Sequence, residues 1–84
     1  MEFSKDLLLE THEKIKPFIN KTPVLQFDFI NDLCDCKVYF KCENFQKTGS
    51  FKIRAASNAL KSLSKKSKEK GVITHSSGNF AQGL

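Results

Sequence analysis

Lys37-Val38-Tyr39-Phe40-Lys41-Cys42, then Ser50-Phe51-Lys52-Ile53-Arg54 opening a run to Ser67, then Val72-Ile73-Thr74: the order of these three stretches decides the fold. Val38, Tyr39, Phe40 and Cys42 form a short β-prone run with few helix formers and read as a strand. Ser50 is placed to cap a helix whose Ile53, Ala56, Leu60 and Leu63 share one face. Lys65, Lys66, Lys68 and Lys70 gather where the helix dipole favours cations, and Gly71 stops the helix. Val72-Ile73-Thr74 reads as a second strand. Strand, helix and strand in that order form a right-handed crossover between parallel strands, so the predicted class is α/β, an incomplete parallel three-layer αβα unit.

Working outward, Ser4 can cap a helix over about residues 5–19, with Leu8, Ile15 and Ile19 recurring at helical spacing and Pro17 weakening its last turn. Thr22-Pro23 pushes the chain into extended structure over 24–27, residues 28–33 suit a helical turn, and Asn79 to Leu84 begins another helix. A parallel sheet needs helices on both faces and more strands than this chain supplies. Residues 1–84 are therefore expected to be the N-terminal part of one larger domain, truncated.

The chain of 84 residues is 39% hydrophobic and carries a formal charge of +5, with no apolar run near the length of a membrane span. No secretory signal opens it, and Cys34, Cys36 and Cys42 are an odd number of cysteines, so a cytoplasmic setting with reduced thiols is expected. Cys34-Asp35-Cys36 lacks a second ligand pair at zinc spacing, and His12 and His75 stand alone, so no metal site is expected within the chain. The lysines from Lys61 to Lys70 have no interleaved aromatic residues and sit at a helix end, which argues against nucleic acid as a partner.

Two segments carry candidate chemistry, each in a loop that opens a helix, where α/β sheets bind ligands. In Gly49-Ser50-Phe51-Lys52 the lysine lies in the opening turn, whose positive dipole end favours the neutral, nucleophilic amine. From position alone Lys52 also reads as one more solvated lysine. In Ser76-Ser77-Gly78-Asn79 two hydroxyls, an amide and backbone N–H groups suit a carboxylate or phosphate, though ordinary caps use the same residues.

Together and in order they are much more specific. Phe40-Lys41-Cys42-Glu43-Asn44-Phe45-Gln46-Lys47-Thr48-Gly49-Ser50-Phe51-Lys52-Ile53-Arg54, followed by Thr74-His75-Ser76-Ser77-Gly78-Asn79, resembles the serine racemase and threonine (serine) dehydratase family of fold-type II pyridoxal-phosphate enzymes. Thr22-Pro23-Val24-Leu25 fits the same family. The resemblance implies pyridoxal 5'-phosphate as cofactor, with Lys52 forming the Schiff base, Phe51 packing against the pyridine ring and Asn79 bonding the ring hydroxyl. It implies that Ser76, Ser77, Gly78 and Asn79 receive the substrate, serine or threonine, and that Ser77 faces the Cα from the side opposite Lys52. Lys47, Thr48 and Gln82 match positions associated with a nucleotide effector.

Ala55 stands where the family usually has glycine, and Phe80 where it usually has histidine. A methyl at Ala55 is expected to crowd the cofactor. The phosphate-binding loop, the partner of the pyridine nitrogen and the divalent-metal site of the family have no counterpart before Leu84. The complete form is thus expected to be a homo-oligomeric ammonia-lyase or racemase, and the 84-residue chain alone to be inactive. The alternative is a catalytically inactive truncated chain or a small basic interaction module.

Overall fold

The structure is a computed structural model that describes residues 2–84. Helix α1 spans Lys5–Ile15, and its N-terminus is capped by Ser4, whose Oγ accepts the Leu7 N–H at 3.1 Å. It ends four residues short of the sequence expectation. Pro17 has no N–H to give, and Lys16–Phe18 tighten into a 3-10 turn. After Thr22-Pro23 the chain extends into strand β1, Val24–Leu25, and then forms helix α2, Asp28–Cys34.

Helix α2 stops at Asp35, which takes a left-handed conformation (φ 53°) while the Cys36 N–H closes onto the Asn31 carbonyl at 3.2 Å. Asn31 Oδ1 also accepts the Val38 N–H at 2.8 Å, so one side chain steers the chain out of the helix. Of the strand expected over 37–42, only Phe40–Lys41 forms, as β2. It pairs antiparallel with β1, Val24 opposite Lys41 and Leu25 opposite Phe40. The Phe27 and Phe40 rings meet at 5.8 Å between centroids in a tilted arrangement.

The single helix expected from Ser50 to Ser67 is two: α3, Lys52–Lys61, and α4, Lys65–Glu69. Two serines divide it. The Ser62 hydroxyl donates back to the Asn58 carbonyl at 2.7 Å, and Ser64 Oγ accepts the Ser67 N–H at 3.1 Å as the cap of α4. Gly71, at φ +82°, then ends α4 as expected.

Val72-Ile73-Thr74 is not a strand here. The segment has no ladder partner, and Ile73 is 97% exposed. A strand exists only against a neighbouring edge, and the expected pairing with residues 37–42 is replaced by the antiparallel β1–β2 ladder, the only one among the described residues. Helix α5, Asn79–Gly83, closes the chain as predicted.

Helix α3 is the organising element, with α1 and α5 packed on it. The buried apolar residues are Ile15 from α1 with Ile53 and Ala56 from α3. This small core leaves Phe3, Phe29, Leu33, Val72 and Ile73 more than half exposed. The radius of gyration, 16.3 Å, exceeds the roughly 12 Å of a compact chain of this length. The molecule is an open assembly of helices about one short ladder.

Candidate active site

The loop that carries Lys52 begins at Gln46 and turns at Gly49. The Gly49 N–H donates to the Gln46 carbonyl at 2.9 Å, and φ of +76° at this glycine is a conformation that side chains disfavour. Space is not the reason, because a Cβ built there meets nothing within 4 Å. Ser50 Oγ then accepts the Lys52 N–H at 3.3 Å, and α3 starts at Lys52 itself. Ser50 thus helps to start the helix from two residues before it.

The second segment is held differently. Ser76 Oγ accepts the N–H groups of Gly78 at 3.1 Å and Ala81 at 3.3 Å, folding the Ser76–Gly78 loop onto the start of α5. Helix α5 is set on α3 through Gly83. A Cβ added at Gly83 would stand 3.3 Å from Ile53 Cα and 3.2 Å from Ala56 Cβ. Ile53 directly follows Lys52, so the helix bearing Asn79 rests on the first turn of the helix bearing Lys52.

Lys52, Phe51, Ser77 and Asn79 are exposed. Among the described residues none of the Lys52 ammonium, the Ser77 hydroxyl and the Asn79 amide is committed to a hydrogen bond or an ion pair within the chain. The Lys52 amine and the Asn79 amide, at the starts of two packed helices, and the Ser77 hydroxyl, in the loop before the second, have the donor chemistry that fits a cofactor bearing an aldehyde and a ring hydroxyl. Ser76 accepts twice as a cap and keeps its own hydroxyl proton to donate.

Of the expected effector positions, Lys47 and Gln82 are exposed, whereas Thr48 is half-buried with its Oγ1 buried and unpartnered. Ala55 lines a groove between α3 and α1 with Leu8, Thr11 and Ile15. Phe80 lines an apolar cavity with Leu60, Leu63 and Leu84. Cys34 and Cys36 are free and exposed, and Cys42 is free and half-buried.

A polar cluster behind the Lys52 loop escaped the sequence reading. Glu43 accepts Arg54 Nε on Oε1 and Arg54 Nη2 on Oε2 at 3.2 Å, and also Thr22 Oγ1 at 2.6 Å and Gln46 Nε2 at 3.3 Å. Gln46 Nε2 donates to the Asn20 carbonyl at 3.0 Å while its Oε1 accepts the Asn20 N–H at 2.8 Å. Thr22 and Gln46 are buried, at 4% and 5% exposure. The Arg54 hydrogen bond, aided by those from Thr22 and Gln46, holds the Glu43 pKa at about 2, against the opposing effect of desolvation. Arg54 is the only arginine among fourteen basic residues, and that signal could have marked it as a planar, bidentate partner.

Residues 15–84 match the family described as pyridoxal-phosphate dependent enzyme. The serine racemase of Dictyostelium discoideum is 56% identical over 75 residues, which are 89% of this chain and 23% of that protein. Its crystal structure superposes with a TM-score of 0.87 at 55% identity, covering 92% of this chain and 25% of the other. The beta-hydroxyaspartate dehydratase of Paracoccus denitrificans (strain Pd 1222) is 49% identical over 77 residues, 92% of this chain and 24% of that protein. The crystal structure of the T.th. threonine deaminase superposes with a TM-score of 0.82 at 36% identity, covering 96% of this chain and 28% of the other. The chain thus spans about a quarter of the length of the relatives it matches. Its α/β class and its partial αβα unit are those of the fold-type II enzymes. With its Lys52 and Ser76–Asn79 segments both inside the matched span, this chain belongs to the pyridoxal-phosphate dependent enzyme family.

Proposed function

We propose that residues 1–84 are the N-terminal part of the enzyme domain of an ammonia-lyase or racemase acting on a β-hydroxy-α-amino acid, serine or threonine. The observation that carries this reading is the uncommitted Lys52 amine at the start of α3, beside the helix that begins at Asn79. The names of the relatives support the substrate class: serine racemase, beta-hydroxyaspartate dehydratase and threonine deaminase.

In this reading Lys52 Nζ would hold the cofactor through its aldehyde, with Asn79 toward its ring hydroxyl and Phe51 against its ring. The bound cofactor supplies an electron sink for the negative charge that develops at the substrate Cα. Lys52 Nζ would take the Cα proton from one face. The Ser76–Asn79 loop receives the substrate carboxylate, to which Ser76 offers its hydroxyl proton. Ser77 Oγ gives or takes a proton on the opposite face, and two proton-carrying groups on two faces permit racemisation. With Lys52 alone active, the Cα proton and the β-hydroxyl leave together as water, and the enamine that remains takes up a water to give a keto acid and ammonia.

The complete form is read as a cytoplasmic homo-oligomer that needs a divalent cation beyond the residues present here, with a small amino acid rather than nucleic acid or membrane as its partner. The odd number of cysteines, three, supports a reducing compartment. No helix among the described residues is long and apolar enough to cross a membrane.

The test uses a completed enzyme, residues 1–84 joined to the part of the Dictyostelium serine racemase that follows its matching segment. Lys52→Ala is expected to abolish both elimination and racemisation of L-serine. Ser77→Ala is expected to lower racemisation by ~10²–10⁴-fold while elimination falls much less. Equal loss of both activities in Ser77→Ala would show that Ser77 does not act as the opposite-face group.

A further inference from the structure

The loop from Lys47 to Phe51 has little holding it in place. Lys47, Gly49 and Phe51 are exposed, and Thr48 Oγ1 has no partner. Its backbone is tied by the Gly49 N–H to the Gln46 carbonyl, the Lys52 N–H to Ser50 Oγ and, at its far end, the Arg54 N–H to the Phe51 carbonyl at 3.1 Å. A loop with so few hydrogen bonds of its own takes its position from its ends, and a displacement of about 1 Å at a reacting group can cost about a hundredfold in rate.

Both ends are held by one carboxylate. At the start of the loop Gln46 Nε2 shares a proton between the two Glu43 oxygens at 3.3 Å and donates another to the Asn20 carbonyl at 3.0 Å. At the far end Arg54, two residues past Lys52, presents Nε and Nη2 to the same carboxylate. Thr22 Oγ1 fixes Glu43 from a third direction at 2.6 Å, and Thr22 is itself backed by Lys41, whose Nζ donates to the Thr22 carbonyl at 2.7 Å. Glu43 therefore closes the 46–54 segment non-covalently, and such closure removes conformational freedom from what lies between. Two charge-assisted bonds in fork geometry fix orientation as well as distance.

We propose that Glu43 is a positioning residue for Lys52, one carboxylate that holds both ends of the Lys47–Phe51 loop through Gln46 and Arg54. Glu43 does not touch the reacting atoms. It sets where the Lys52 amine stands, and the proposal rests on the assignment of Lys52 as the cofactor-bearing residue. Glu43→Gln keeps the shape but replaces one acceptor with an NH₂ that faces the donors of Gln46 and Arg54. Gln46→Leu releases only the near end and leaves the Glu43–Arg54 pair in place.

In the completed enzyme, amide hydrogen exchange by mass spectrometry should report Glu43→Gln as roughly tenfold faster exchange in a peptide covering 46–53, with the peptide covering 5–15 unchanged. Gln46→Leu should move the same peptide in the same direction by less. For L-serine elimination, Glu43→Gln should lower kcat by about 10–100-fold and leave KM within about threefold. The proposal is overturned if the 46–53 peptide keeps wild-type exchange in both variants, or if 5–15 accelerates as much as 46–53. It is also overturned if the loop loosens and kcat does not fall. Wild-type activity in Lys52→Ala would instead sink the assignment of Lys52, while the exchange comparison would still decide whether Glu43 holds the loop.

Discussion

Gly83 lies directly on the backbone of Ile53: a Cβ at Gly83 would come within 3.3 Å of Ile53 Cα. This contact sets the last residue of helix α5 on helix α3 one residue beyond Lys52, with Asn79 and its loop at the other end of α5. Neither glycine conformation nor solvent exposure explains Gly83, because it is helical and half-buried. Close approach of two helices does.

Gly83→Ala is accordingly expected to destabilise the completed enzyme by about 1–3 kcal/mol, as an overpacked contact against backbone that cannot rotate away. The unfolding midpoint in urea measures it. Adding Ala56→Gly removes the Cβ at 3.2 Å and should recover only part of the loss, since Ile53 Cα remains and glycine weakens α3. Full recovery would mean that the backbone contact is not the constraint.

Acid should expose the Glu43 cluster. The folded-state pKa of about 2 lies below the ordinary 4.5, so the pairing contributes its full stability above pH 4.5 and loses it as pH falls through 2. Wild type is expected to lose stability more steeply than Glu43→Gln across that window, and the two curves should converge at its acid end. Parallel curves from pH-dependent urea unfolding would contradict the depressed pKa.

Ser76→Ala removes the acceptor for two N–H groups at the start of α5 and should cost about 1 kcal/mol. The effect should be local: faster amide exchange at Ala81, with α1 unaffected. Unchanged exchange at Ala81 would show that another group caps α5.

Local signals in the sequence carried far. Ser4 and Gly71 each mark a helix boundary through a single residue's chemistry, and Pro17, expected to weaken the last turn of α1, sits in the 3-10 turn that replaces it. The Lys52 and Ser76–Asn79 segments were legible because their motifs are contiguous. What depends on partners was not. Val72-Ile73-Thr74 has strand composition but no neighbouring edge, and Val38 and Tyr39 stay outside the two-residue ladder for the same reason. The face of Ile53, Ala56, Leu60 and Leu63 promised one long helix, because apolar spacing is blind to the Ser62 and Ser64 hydroxyls that divide it. The Glu43 cluster joins Asn20, Thr22, Gln46 and Arg54 across separations that no periodic pattern reports.

Borohydride reduction of the completed enzyme with bound pyridoxal phosphate, followed by peptide mapping, tests the assignment of Lys52 most directly, because reduction fixes the cofactor on the amine that holds it. Stoichiometric label on the peptide containing Lys52, lost in Lys52→Ala, is the expected result. Stoichiometric label on another lysine, with Lys52 unmodified, would contradict it.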